Sequence, residues 1–257
     1  ATPSFVVYKI VSQLSLGQGV EVPLDGDFRH DLDAIAAAVN EKTKIVFVCN
    51  PNNPTGTYNS EQELRAFMDK IPENCLVVVD EAYYEYVEAP DYPQTIEWMD
   101  RYPNLIILRT FSKIYSLAGL RIGYSVSHPN LVDLLERGRP PFNVNSLSQV
   151  AALAALRDPE RLRWIQEENG IGRRYICKKL EAMGCRVLPS QTNFVMAFLP
   201  MDSQKAYEEL LERGVIVRPM GNFGAELNAV RISVGLEEEN HRMIHALADL
   251  LQQIARS

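Results

Sequence analysis

The chain has 257 residues, 46% of them hydrophobic and 23% charged, with a formal charge of −7. That length suits one large α/β domain or two smaller ones, and the apolar share supplies a core, which excludes a disordered chain. The acid excess argues against a nucleic-acid partner, although a few arginines can still bind a small anion in a pocket.

Cys49, Cys75, Cys177 and Cys185 form no CxxC pair and are expected to be reduced thiols of a cytosolic protein. The longest apolar runs, such as 45–49 and 76–79, are too short to span a bilayer, and no secretory signal is read. The chain opens Ala-Thr-Pro-Ser-Phe without a Met, consistent with lost upstream sequence.

Short β-branched runs alternate with amphipathic stretches, which predicts α/β with parallel strands. In chain order, 19–24 reads as a strand and 32–39 as a helix. Residues 44–49 read as a buried strand, which ends in the loop Asn50-Pro51-Asn52-Asn53-Pro54-Thr55-Gly56. Ser60 with Glu63 forms a capping box that starts a helix to 71. Strands are expected at 75–79, 105–109 and 121–126. Beyond Pro129 the character changes: Pro140-Pro141 interrupts a helical stretch, and 146–156 resumes it. Asp158-Pro159 starts a long helix to 183 despite Gly170 and Gly172. A strand at 187–199, a helix at 203–212, strands at 215–218 and 230–234 and a final helix from 237 complete an α+β unit. The expected division is 1–145 and 146–257, with the boundary between about 140 and 160.

Three predicted strands end in polar groups, where open α/β sheets place their ligand crevices. They are Asn53, then Asp80-Glu81-Ala82-Tyr83, then Ser112-Lys113. Singly, each has an ordinary reading as turn, cap or solvated surface residue. Together they offer an amide, a carboxylate with a phenol, and an amine beside a hydroxyl. A pyridoxal cofactor needs that set: an amine for its aldehyde, a carboxylate for its ring nitrogen, and donors for its ring oxygen and phosphate.

The motifs Asn-Pro-Asn-Asn-Pro-Thr-Gly, Asp-Glu-Ala-Tyr and Ser-Lys-(x7)-Arg, in that order, resemble those of fold-type-I aminotransferases, and the segment TFSKIYSLAGLRIGY is especially specific. The resemblance implies pyridoxal 5′-phosphate held by Lys113, which also shuttles the reaction's proton. It implies Asp80 on the ring nitrogen, Tyr83 and Asn53 on the ring oxygen, and Ser112 and Arg121 on the phosphate. Phe5 matches the aromatic that stacks on the ring, and reads equally as a residue on the core face of the first helix. Glu81 matches the motif without an assigned chemistry and is taken as structural.

The segments Thr192-Asn193-Phe194, Gly214 to Pro219 and Val230 to Gly235, with the tail Glu238-Glu239-Asn240, resemble the small domain of histidinol-phosphate aminotransferases. That resemblance implies a large domain built on a mostly parallel sheet, a smaller α+β domain, a homodimer, and amino transfer in histidine biosynthesis between glutamate and imidazole-acetol phosphate. Arg231 is implied at the substrate's acidic end, joined by Arg218 at the phosphate, and a hairpin-like return is expected to bring the two arginines together. Asn53 is expected to face the substrate as well. The alternatives are an aromatic aminotransferase, a decarboxylase of an amino-acid phosphate, or a non-catalytic cofactor-binding regulator. The family's chain extends further upstream, where it supplies a loop to the cofactor phosphate and an aromatic to the neighbouring subunit. No metal is expected. His241 and His245 lie four apart on the last helix, and a solvated face explains them better than a metal pair.

Overall fold

Aliphatic and β-branched runs form the parallel core of the first sheet: β1 (Ile45–Cys49), β2 (Leu76–Asp80) and β3 (Leu105–Thr110). The computed structural model describes residues 1–221 and 227–256. Cys49 pairs with Asp80, and Asp80 with Leu108, so both ladders end at one edge of the sheet. α2 (Leu32–Ala38) and α3 (Glu61–Met68) accompany these strands, with Leu64, Phe67, Val77, Val79, Leu105 and Ile107 essentially free of solvent. The predicted capping box is present: Ser60 Oγ accepts from Glu63 N, and Glu63 Oε2 accepts from Ser60 N at 2.8 Å.

β4 (Gly123–Ser127) runs antiparallel to β3 and completes the expected mostly parallel sheet. The segment from Phe111 to Ile122 forms turns, with Ser116 and Arg121 at φ of 60° and 51°, and no helix carries a crossover. The strand expected at 19–24 is reduced to single bridges, Thr2 to Pro23 and Leu24 to His30, since Pro23 cannot donate to a ladder. α1 (Val7–Leu14) precedes it and α4 (Pro129–Gly138) follows β4, and neither buries a residue.

The second sheet is antiparallel, in the order β5 (Arg186–Val187), β6 (Phe194–Phe198), β8 (Ala229–Ser233), β7 (Arg218–Pro219). The strand expected at 187–199 splits in two: Pro189 removes a donor, and Ser190 and Thr192 turn their hydroxyls onto the Phe194 carbonyl at 2.6 and 3.0 Å. The strand expected at 215–218 shrinks to β7, which pairs Arg218 with Arg231 and Pro219 with Val230. α5 (Ser146–Leu156) leads to α6 (Pro159–Ala182), which Asp158 caps through Arg161 N at 3.0 Å. α6, α7 (Ser203–Glu212) and α8 (Glu237–Arg256) enclose a core of Ile176, Leu180, Val195, Leu210, Val230 and Leu247.

The two helical glycines are explained by close approach. A Cβ at Gly172 would sit 2.7 Å from Val234 Cγ1 and 2.8 Å from Asn240 Nδ2, and one at Gly170 would strike Glu88. This contact offsets the roughly 1 kcal/mol by which glycine disfavours a helix interior. The same region ties the two sheets together: Arg173 pairs with Glu88 at 2.7 Å, and Gln191 Oε1 accepts from Glu88 N at 2.8 Å. All four cysteines are free, and among the described residues no helix is long and apolar enough to cross a membrane.

Candidate active site

Asp80 ends β2 with a carboxylate that accepts two hydrogen bonds, from Ala82 N to Oδ1 at 3.0 Å and from Tyr8 Oη to Oδ2 at 2.7 Å. The Tyr8 ring stacks on Phe47 at 4.8 Å and 13°, and Phe5 meets it edge-on at 5.6 Å. Burial nonetheless raises the Asp80 pKa, outweighing the hydrogen bonds from Tyr8 and Ala82 and the charge of Lys113. Among the described residues Asp80 forms no salt bridge, so this carboxylate suits a bound cationic group.

Lys113 lies beyond β3, with Nζ 5.2 Å from the centre of the Tyr83 ring. Burial lowers its pKa, Arg231 and Arg121 add to the effect, and Asp80 opposes it. Arg231, acting from the second sheet, is the stronger of the two cations. Tyr83 is buried and its phenol pKa is raised, chiefly by burial, so it remains a donor. Its ring meets Phe194 edge-on at 5.2 Å, and the Arg231 guanidinium covers that same Phe194 at 4.9 Å.

Arg231 Nη1 also donates to Asn53 Oδ1 at 2.6 Å, joining the second sheet to the Asn-rich loop. Arg218 and Arg231 are register partners across β7 and β8, as the predicted return required, although residues 222–226 of that loop lie outside the described residues. Both arginines, with Asn53, Ser4, Phe5 and Val6, line a cleft of about 100 Å³. Phe5 therefore sits at this cleft, half-exposed and before α1, not on a helix's core face. Ser112 is half-buried behind Lys113, and its backbone N–H donates to Thr110 Oγ1 at 3.0 Å. Arg121 is exposed and donates to the Ala118 carbonyl at 2.8 Å.

Asn52 was missed. Its Oδ1 accepts from Ser4 Oγ at 2.8 Å and lies 3.2 Å from His30 Nε2, while its amide donates to Thr55 Oγ1 at 2.9 Å and Pro3 O at 3.2 Å. It thereby ties the segment before Phe5 to the loop of Asn53. Tyr8 was also missed, though its place three residues after Phe5 in an otherwise apolar run was a signal. His241 and His245 stand 6.5 Å apart on α8 with Tyr175 against His241, and among the described residues no metal-type cluster of three forms.

Glu85, on the turn after Asp80-Glu81, is a buried carboxyl. Burial pushes it up to about 7, Arg109 pulls it back and Glu81 adds to the rise. Its folded pKa exceeds the unfolded value of about 4.3. The fold therefore binds the extra proton between those values and loses stability as pH climbs through that window, levelling off above about 7. Glu85→Gln is expected to raise Tm at pH 8 more than at pH 5, and equal effects at both would place the titration elsewhere.

The sequence profile of the family described as Aminotransferase class I and II matches residues 1–247. Histidinol-phosphate aminotransferase 1 of Nitrosococcus oceani is 50% identical over 249 residues, 97% of this chain and 67% of that protein. Histidinol-phosphate aminotransferase of Brevibacillus brevis is 47% identical over 251 residues, 98% of this chain and 68% of that protein. The crystal structure of the Sinorhizobium meliloti histidinol-phosphate aminotransferase in complex with pyridoxal 5′-phosphate superposes with a TM-score of 0.90 at 33% identity, covering 98% of this chain and 69% of that one.

Proposed function

The chain belongs to the aminotransferase class I and II family, and on that premise we propose that it moves an amino group between histidinol phosphate and 2-oxoglutarate, in either direction, with pyridoxal 5′-phosphate as cofactor. The observation that carries this reading is the convergence of Lys113, Asp80, Tyr83 and Arg231 from both sheets on one place. The bound cofactor supplies an aldehyde and a ring that takes up electrons from the substrate. Lys113, whose pKa burial lowers, would hold the cofactor and carry the proton of the substrate's Cα. Asp80 would pair with the ring nitrogen, and Tyr83 and Asn53 would donate to the ring oxygen. Ser112 and Arg121 would take the phosphate, and Phe5 would stack on the ring.

Arg231 and Arg218 are assigned to the substrate's acidic end. Two guanidinium groups in facing register repel each other unless an anion lies between them, and a phosphate dianion answers both better than a carboxylate does. The two relatives above, at 50% and 47% identity, favour this substrate over an aromatic amino acid. Arg218→Ala is expected to weaken the phosphorylated substrate by roughly ten- to a hundredfold in kcat/KM, the worth of one charge-assisted contact, and glutamate much less. Arg231→Ala should harm both half-reactions. Measured half-reaction by half-reaction, equal losses in Arg218→Ala favour a general or aromatic aminotransferase. A screen of imidazole-acetol phosphate, phenylpyruvate and threonine phosphate then separates that reading from a decarboxylase. An absence of turnover with all three leaves the regulator.

The proposal extends to a cytosolic homodimer, with 1–145 as the large and 146–257 as the small domain. The apolar faces that α1, α4 and α5 leave open, among them Ile10, Leu14, Leu134, Leu147 and Val150, support assembly.

A further inference from the structure

The backbone ladder between β2 and β3 stops where the cofactor groups begin: its last rung is Glu81 N to Leu108 O at 2.9 Å. One residue further on, the pairing continues through side chains. Arg109 places Nε and Nη2 at 2.9 and 2.8 Å from Glu81 Oε2, and Glu81 is fully buried. Thr95 Oγ1 donates to the other carboxylate oxygen. The guanidinium lies 3.5 Å above the centre of the Tyr84 ring. On the opposite side, Arg109 is the register partner of Tyr124 on β4 and interacts with its hydroxyl. A single arginine thus touches three strand ends, and each leads directly to one proposed cofactor ligand: β2 to Asp80, β3 to Lys113, and β4 to Arg121, two residues before it.

We infer that Glu81 and Arg109 are positioning residues, whose buried ion pair sets the spacing of Asp80, Lys113 and Arg121 around the cofactor. The inference rests on the cofactor roles proposed for those three residues. A buried ion pair is a poor source of stability, because apolar residues of similar size commonly replace it without loss. A pair kept only for stability is therefore dispensable as a pair, whereas one that sets geometry is not. Lysine cannot substitute for Arg109 in this arrangement, since it has neither the planar fork that meets Glu81 through two nitrogens nor the flat face that stacks on Tyr84.

The test uses the whole protein with Arg109→Lys and with the double change Glu81→Gln/Arg109→Met, which leaves an acceptor for Thr95 and no unpaired charge. Each is compared with the parent by Tm without cofactor, by cofactor affinity, by the pH titration of the cofactor's visible band, and by kcat and KM. The expected result is a folded protein with Tm within a few degrees of the parent. Its visible band should titrate at a pH displaced by about half a unit or more, and kcat should fall roughly ten- to a hundredfold, the cost of an ångström-scale misplacement. KM for the amino donor should stay within about threefold. A folded double variant with the parent's visible-band titration and kcat overturns the inference. So does failure of both variants to fold, which assigns the pair to stability alone. A parent protein that takes up no cofactor defeats the underlying reading instead, and that outcome is separately visible.

Discussion

Replacing Lys113 by alanine is expected to abolish the cofactor's characteristic visible band and to stop turnover in the whole protein. Two contributions disappear together. The covalent hold on the cofactor is lost, and so is the only amine that the described site places beside Tyr83 and Asp80. Positioned proton transfer alone is worth on the order of 10²–10⁴-fold, and the covalent contribution adds to it. Cofactor affinity should fall less steeply, because Asp80, Tyr83 and Arg121 remain. A small added amine should then restore some activity without restoring the covalent hold. A Lys113→Ala protein that keeps the parent's band and turnover removes Lys113 from the mechanism and passes the role to another amine.

The elements most legible in the sequence were those whose causes are local. Ser60 with Glu63, and Asp158 with Pro159, announce helix starts through their own side-chain chemistry, and the structure forms those caps. The strands 45–49 and 76–80 could be read because continuous aliphatic runs of that length fit a sheet buried on both faces. The failures came where a partner decides the outcome. A run such as 19–24 has strand composition, yet with Pro23 in it and no neighbouring ladder it forms only isolated bridges. The direction of β4 depends on how Phe111 to Ile122 turns back, which composition does not encode.

The site divides in the same way. Asp80, Lys113 and Asn53 stood out in the sequence because each lies at or just beyond the end of a strand, and those ends share one edge of the sheet. The electrostatic partner of Lys113 was not, because Arg231 follows it by more than a hundred residues and arrives on another sheet. Glu81 was recognised as part of a motif, but its partner Arg109 lay inside an apolar strand, where a lone arginine gives no sign of what it faces.

The hydrogen bonds around Asp80 make its replacement by asparagine a sharp test of the electron-accepting role. In the structure both carboxylate oxygens accept, one from Ala82 N and one from Tyr8 Oη. An asparagine keeps one acceptor and sets an amide N–H against the second donor. Its best rotamer therefore turns the oxygen to Ala82 and donates the amide N–H to a Tyr8 hydroxyl that has reversed, so the shape and both contacts are conserved. What vanishes is the negative charge. With it goes the pull that keeps a ring nitrogen protonated, and burial, which already raises the Asp80 pKa, means that no water replaces that charge. Because the stabilised charge develops in the transition state, the loss should fall on kcat, on the order of 10²–10³-fold for one preorganised electrostatic contact, with KM little changed. The variant's visible band should also shift toward that of an unprotonated ring across the neutral range. Steady-state kinetics and the band's pH titration, run on the same preparation, decide the matter. A near-parental kcat with an unaltered band means that another group holds the ring nitrogen, and Tyr8, which already reaches into this part of the site, becomes the residue to replace next.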